Sequence, residues 1–171
     1  VSAGDEAMVG DARLAVLHPG PAFDCGKAKA YAAENDRSLV VRMSIGDRVL
    51  LFPGDIHAAG ERALLQSVPE LACDLVKVPH HGSKTSSSGG LVAALRPAVA
   101  VVTVADGNPY RHPAEEVVAR YTENGAALYR TDRHGAVLVR LGQTGLTVRT
   151  WSELMLRRIL PAERDGWWTI E

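Results

Sequence analysis

Cysteine is scarce: the 171 residues hold two, Cys25 and Cys73, too few and too far apart for a disulfide framework or a Cys-based zinc site. Neither has a histidine beside it in sequence, so both read as buried reduced thiols. No apolar run approaches the roughly 18 residues that a membrane helix needs. The opening Val1-Ser2-Ala3-Gly4-Asp5 lacks the basic and apolar regions of a signal peptide. An excess of one charge is also missing, since 19 Lys and Arg against 20 Asp and Glu leave a net charge of −1. That balance excludes a general basic field for a phosphate backbone and leaves only local contacts, with Lys77, Lys84, Arg111 and Arg130 as candidates. Repeats and linkers are absent, and only Ser86–Gly90 is of low complexity. What is present is ordinary globular usage, 46% hydrophobic and 23% charged, in a length suited to one domain.

Short apolar runs, each ending in turn residues, organise the chain. Ala12–His18 reads as a strand stopped by Pro19-Gly20-Pro21, and Gly26–Glu34 as a short Ala-rich helix. Ser38–Ile45 and Arg48–Phe52, joined by Gly46-Asp47, read as a hairpin. A helix is expected over Gly60–Gln66, a strand within Leu71–Val78, a helix over Leu91–Leu95 and a β-branched strand over Ala98–Val104. The next helix is expected to start at His112-Pro113, with Pro in its first position and acids in its first turn, and to end at Asn124-Gly125. Ala126–Arg130, Ala136–Leu141 and Gly145–Trp151 are expected to form a three-stranded meander. Ser152–Leu160 has a helical pattern, and exposed aromatics at Trp167-Trp168 follow it.

Three strand exits carry chemistry: Asp55, the pair His80-His81, and His112. In alternating strand and helix units the loops leaving the carboxyl ends of strands share one sheet edge, where ligand sites gather. Carboxylate and imidazole are the donors that suit zinc or manganese, and such a site makes a hydroxide nucleophile. Against that, Asp55 also has the position of a helix N-cap, His80-His81 of a polar turn and His112 of a cap before Pro113. His18, His57 and His134 read as surface or strand-end residues. Ser83 lacks the Gly-x-Ser-x-Gly elbow of a serine nucleophile.

Taken in order, Leu50-Leu51-Phe52-Pro53-Gly54-Asp55-Ile56, Asp74-Leu75-Val76-Lys77-Val78-Pro79-His80-His81-Gly82-Ser83, Asn108-Pro109-Tyr110-Arg111-His112-Pro113 and Tyr129-Arg130-Thr131-Asp132 resemble the metallo-β-lactamase-type domain of the ComEC DNA-internalisation competence family. The resemblance spans about Ala12 to Leu141. It implies an α+β fold: residues 1–151 would be the C-terminal half of a metallo-β-lactamase-like α/β/β/α sandwich, and 152–171 a helical tail.

The same resemblance implies part of a metal-dependent hydrolase, phosphodiesterase- or nuclease-like, in a DNA-uptake protein. Asp55, His80 and His112 would bind a divalent metal (Zn or Mn), Asp55 and His81 would be catalytic, and Ser83 and Lys84 would touch substrate. The family's His-x-His/Asp-x-Asp-His cluster is missing, so the metal site is expected to be incomplete in this chain and the isolated chain inactive. A C-terminal fragment of a longer protein explains this, and the start at Val agrees with it. The alternative is a noncatalytic scaffold or interaction module that has lost its metal. Expected partners are the rest of the parent domain, a membrane channel, DNA and a second copy of the chain. The expected setting is a soluble domain of a bacterial inner-membrane protein.

Overall fold

A computed structural model describes residues 1–21, 23, 34–142, 145–159 and 168–170. The Gly26–Glu34 helix, all but its last residue, and Cys25 lie outside the described residues. Within them the chain is a mixed α+β fold with one seven-stranded sheet, one three-stranded sheet and five helices.

The large sheet runs in sequence order: β1 (Glu6–Val9), β2 (Ala12–His18), β3 (Val40–Ile45), β4 (Arg48–Phe52), β5 (Leu75–Lys77), β6 (Val99–Val102) and β7 (Ala127–Arg130). β1 to β4 pair antiparallel, and the Gly46-Asp47 hairpin forms as the sequence predicts. From β4 onward pairing is parallel, through β5, β6 and β7. Parallel neighbours need crossovers, which are α1 (Ala58–Ser67), α2 (Gly89–Leu95) and α3 (Glu115–Glu123).

Both faces of β5 and β6 are covered, so Leu75-Val76 and Val99–Val102 read as unbroken apolar runs. Leu51, Val76, Ala100 and Val102 face a core completed by Leu64, Leu91, Leu95, Val117 and Tyr121 of the helices. Their neighbours Leu50, Leu75, Val99 and Val101 face the opposite way, onto Leu146 and Val148 of the small sheet. Alternate side chains of one strand thus serve two cores. Cys73 belongs to the helix-side core, and burial pushes its thiol up to about 12, so it stays an unreactive thiol.

Three expectations change. Ala127–Arg130 does not join a meander: it pairs in parallel with β6 in the large sheet, while β8 (Val137–Gly142) and β9 (Gly145–Thr150) form a separate hairpin. After α4 (Thr131–His134) and α5 (Trp151–Ile159), the chain returns as β10 (Trp168–Ile170), which pairs antiparallel with β9. Finally, α3 begins at Glu115 with Ala114 as its N-cap residue, so Pro113 lies before the helix. Among the described residues, no helix is long and apolar enough to cross a membrane.

Candidate metal and catalytic centre

All four parallel strands deliver their following loops to one sheet edge. The loop after β4 carries Asp55 and His57, the turn Pro79–Gly82 after β5 carries His80 and His81, and the loop after β6 carries Tyr110 and His112. With Ser83 and Thr85 these residues line one cleft of about 600 Å³. The structure thus places Asp55, His80, His81, His112 and Ser83 on one cleft. It places Lys84 in a neighbouring groove beside His57, Thr85 and Arg120.

Asp55 is fixed by charge. Lys77 Nζ, from β5, lies 3.3 Å from its Oδ1, and His81 Nε2 lies 3.8 Å from its Oδ2. Capping of α1 is not its task. Asp36 Oδ1 accepts hydrogen bonds from the backbone N–H groups of His57 and Gly60, both at 2.8 Å, and so satisfies two donors at that helix start. Asp36 is itself held where buried His18 Nε2 donates to its carbonyl oxygen at 2.7 Å.

The His80-His81 pair occupies unusual backbone. Both residues are left-handed, with φ of 46° and 55°, a conformation costing non-glycine residues about 1–3 kcal/mol each and kept where the surroundings over-determine it. His80 N donates to the Gly54 carbonyl at 3.2 Å, which ties this turn to the Asp55 loop. His81 Nδ1 lies 2.6 Å from the Thr103 carbonyl and must carry the proton to donate there. That bond fixes the ring with Nε2 turned towards Asp55, the way a carbonyl partner orients an imidazole through its other nitrogen.

His80 is the hub of the imidazoles. Its ring centroid lies 4.5 Å from His57, stacked, 6.0 Å from His112 and 6.4 Å from His81. Its Nδ1 is buried without a hydrogen-bond partner among the described residues. Burial, then proximity to His57, pulls His80 below the ordinary histidine range, and burial, then His81, does the same for His112. Both rings are neutral at pH 7, the form that binds cations.

His57 is the residue that sequence reasoning missed. It reads as a lone surface histidine because no partner lies at ligand spacing, whereas its ring stacks on His80 and its Nε2 accepts from Asn35 Nδ2 at 3.1 Å. His18 is a strand-end residue as read, the last of β2, and it is buried there. His134 sits away from the cleft, where Nδ1 accepts from the Arg130 backbone N–H at 2.9 Å and closes a turn. Next to it, two hydrogen bonds from Arg130 hold Asp132 below the usual carboxylate range.

One close approach locks the two histidine loops together. A Cβ on Gly82, where φ is +79°, would lie 2.5 Å from Pro113 Cβ, and Ala114 N donates to the Gly82 carbonyl at 2.9 Å. Gly82→Ala is expected to destabilise the protein by about 2 kcal/mol or more and to lower its melting temperature by several degrees. Gly89→Ala, with nothing within 4 Å of the added Cβ, should leave melting nearly unchanged. Equal melting of the two variants would refute this packing.

The donors are of the right chemical kind for zinc or manganese: one carboxylate and imidazoles held neutral. They do not close into a ligand set, because among the described residues no three His, Cys, Asp or Glu come together as a group that would hold an ion.

No family model matches the chain. Among curated proteins it is 30% identical over 140 residues to ComE operon protein 3 of Bacillus subtilis, covering 82% of this chain and 17% of that protein. It is 38% identical over 114 residues to competence protein ComA of Neisseria gonorrhoeae (66% and 16%) and 32% identical over 117 residues to recombination protein 2 of Haemophilus influenzae (68% and 15%). The chain thus spans 15–17% of the length of these relatives. The matched stretches, together with a cleft built from the very loops that carry the Asp55, His80-His81 and His112 motifs, lead to one conclusion: the chain belongs to the ComEC-type competence protein family, as one segment of it.

Proposed function

We propose that the chain is the latter part of a phosphodiester hydrolase domain of metallo-β-lactamase-like architecture, within a ComEC-type protein that takes up DNA. The observation that carries this reading is the convergence of Asp55, His80, His81 and His112 at the carboxyl edge of four parallel strands. The layering of helices, large sheet and small sheet supports an α/β/β/α sandwich. Asp55, His80 and His112 would hold a divalent metal, and donors from outside this chain would complete the set. Such a cation supplies a hydroxide at neutral pH and neutralises phosphoryl charge.

The chain's own residues do the rest. With Nδ1 committed to Thr103, His81 exchanges protons with substrate through Nε2, beside the Asp55 carboxylate that steadies its charged form. Ser83, whose hydroxyl lies 2.9 Å from that of Thr85, and Lys84 in the adjoining groove meet the non-reacting phosphate oxygens. The rest of the parent domain, or a second copy, would dock on the small-sheet side of β1–β4. There register aligns Val9, Leu14, Val16, Val41, Met43 and Phe52, and Val9 is 63% exposed. The parent is proposed to be a bacterial inner-membrane protein with a channel, and DNA its substrate.

A second reading, a noncatalytic scaffold, is favoured by a donor set that does not close. Titration of this chain with Zn²⁺ and with Mn²⁺, together with bis(p-nitrophenyl) phosphate hydrolysis by the complete parent protein, separates the two. The hydrolase reading expects weak binding, lost in Asp55→Asn, and chelator-sensitive hydrolysis by the parent. No hydrolysis by the parent under any divalent metal would establish the scaffold.

A further inference from the structure

We infer that Tyr110 is a stacking platform for a nucleobase adjacent to the phosphodiester held in the histidine cleft. The inference rests on the phosphodiester reading and adds what recognises the rest of the substrate. Tyr110 is 77% exposed, against 51% for Trp151 and 37% for Phe52. Its ring lies 5.7 Å from that of His112 and nearly parallel to it, at 20°. It forms part of the wall of the histidine cleft and also of a smaller pocket of about 310 Å³ that holds Val104 and Ala105. One aromatic ring thus stands between the reacting centre and a partly apolar recess.

Slack in the loop does not explain this exposure. Asn108 Nδ2 donates to the carbonyls of Ala105 (3.1 Å) and His112 (2.9 Å), and its Oδ1 accepts from His112 N at 2.8 Å. Arg111 N donates to the Asn108 carbonyl at 3.2 Å. A laced loop thus holds the aromatic ring at the rim of the cleft, open to solvent and to a ligand that reaches past His112. A protein partner would need a contiguous apolar patch, whereas the loop around Tyr110 also carries Asp106, Asn108 and, directly after the ring, Arg111. A planar group fits instead, and every base offers a π-face, so stacking suits a substrate of varied sequence.

The test uses this chain and two fluorescently labelled ten-nucleotide probes, oligothymidylate and an abasic strand of equal length, read by anisotropy at low salt. Oligothymidylate should bind about tenfold more tightly than the abasic strand. Tyr110→Ala should erase that difference without altering thermal unfolding, and Tyr110→Phe should preserve it. A difference that survives in Tyr110→Ala overturns the inference, as does an equal loss on both probes, which would mean phosphate contact. Absence of binding by either probe also overturns it. In each case the phosphodiester reading stands or falls separately on bis(p-nitrophenyl) phosphate hydrolysis by the parent.

Discussion

Asp55→Ala in the complete parent protein is expected to lower phosphodiester cleavage by at least about a hundredfold while the domain still folds. The carboxylate sits between Lys77 Nζ and His81 Nε2, and among the described residues no other carboxylate lines that cleft. Folding should survive because capping of α1 belongs to Asp36 and because the Asp55 side chain is 38% exposed, where an ion pair contributes about 0–1 kcal/mol. Asp55→Asn separates charge from shape and should be nearly as inactive. His134→Ala is the control: it opens a turn outside the cleft and should leave activity per folded molecule unchanged. Equal losses at Asp55 and His134 would place the chemistry elsewhere, and full activity in Asp55→Ala would end the hydrolase reading of this edge.

The largest stability effect is expected at Glu61, a residue that takes no part in the cleft. It is 1% exposed in α1, and its two carboxylate oxygens accept the backbone N–H groups of Ser87 and Ser88, the latter at 2.9 Å. Ser87 is left-handed, its hydroxyl lies 3.3 Å from the buried Tyr121 hydroxyl, and its carbonyl accepts from Arg120 at 3.0 Å. Glu61 therefore pins the Ser-rich loop that begins with Ser83 and Lys84. Glu61→Ala strands one buried and one half-buried donor and should cost about 2–4 kcal/mol, lowering the melting temperature by roughly 5–15 °C. Glu61→Gln keeps one acceptor but turns an amide N–H towards the other donor, so an intermediate loss is expected.

Burial is the main reason that Glu61 titrates above the ordinary glutamate range. The folded state then holds this proton more tightly than the unfolded chain. Its contribution is fully present below the ordinary glutamate value and is lost as pH rises through the raised one. Denaturant titrations at several pH values should show this decline in the unaltered protein and not in Glu61→Gln. A decline of the same size in both would assign it to another group.

Much of the architecture is legible in residue order because parallel strands buried on both faces leave an unmistakable mark. Leu75-Val76 and Val99–Val102 are apolar at every position, and the loops that follow them carry His80, His81 and His112 of the cleft. Strand partners are less legible. Ala127–Arg130 lies close in sequence to two later strands and suggests a meander, yet its partner is β6, reached across α3, and only the depth of the helix-side core selects that pairing. Glu6–Val9 is exposed throughout and carries no burial pattern, so β1 leaves no signal. His57 illustrates the same limit at the site, since stacking on His80 depends on two loops from different strands meeting.

The Asp36 carboxylate has a consequence for where this fold can be divided. Among the described residues every acid and imidazole of the cleft lies after Phe52, so a unit starting at β3 would hold all of them. It would also leave behind the acceptor of His57 N and Gly60 N, and with it the clasp by which His18 on β2 holds Asp36. The helix that follows Asp55 would begin unmoored, and the stack of His57 on His80 would loosen with it. A cut that keeps this cap and its clasp intact therefore falls ahead of β2, well upstream of the residues that line the cleft.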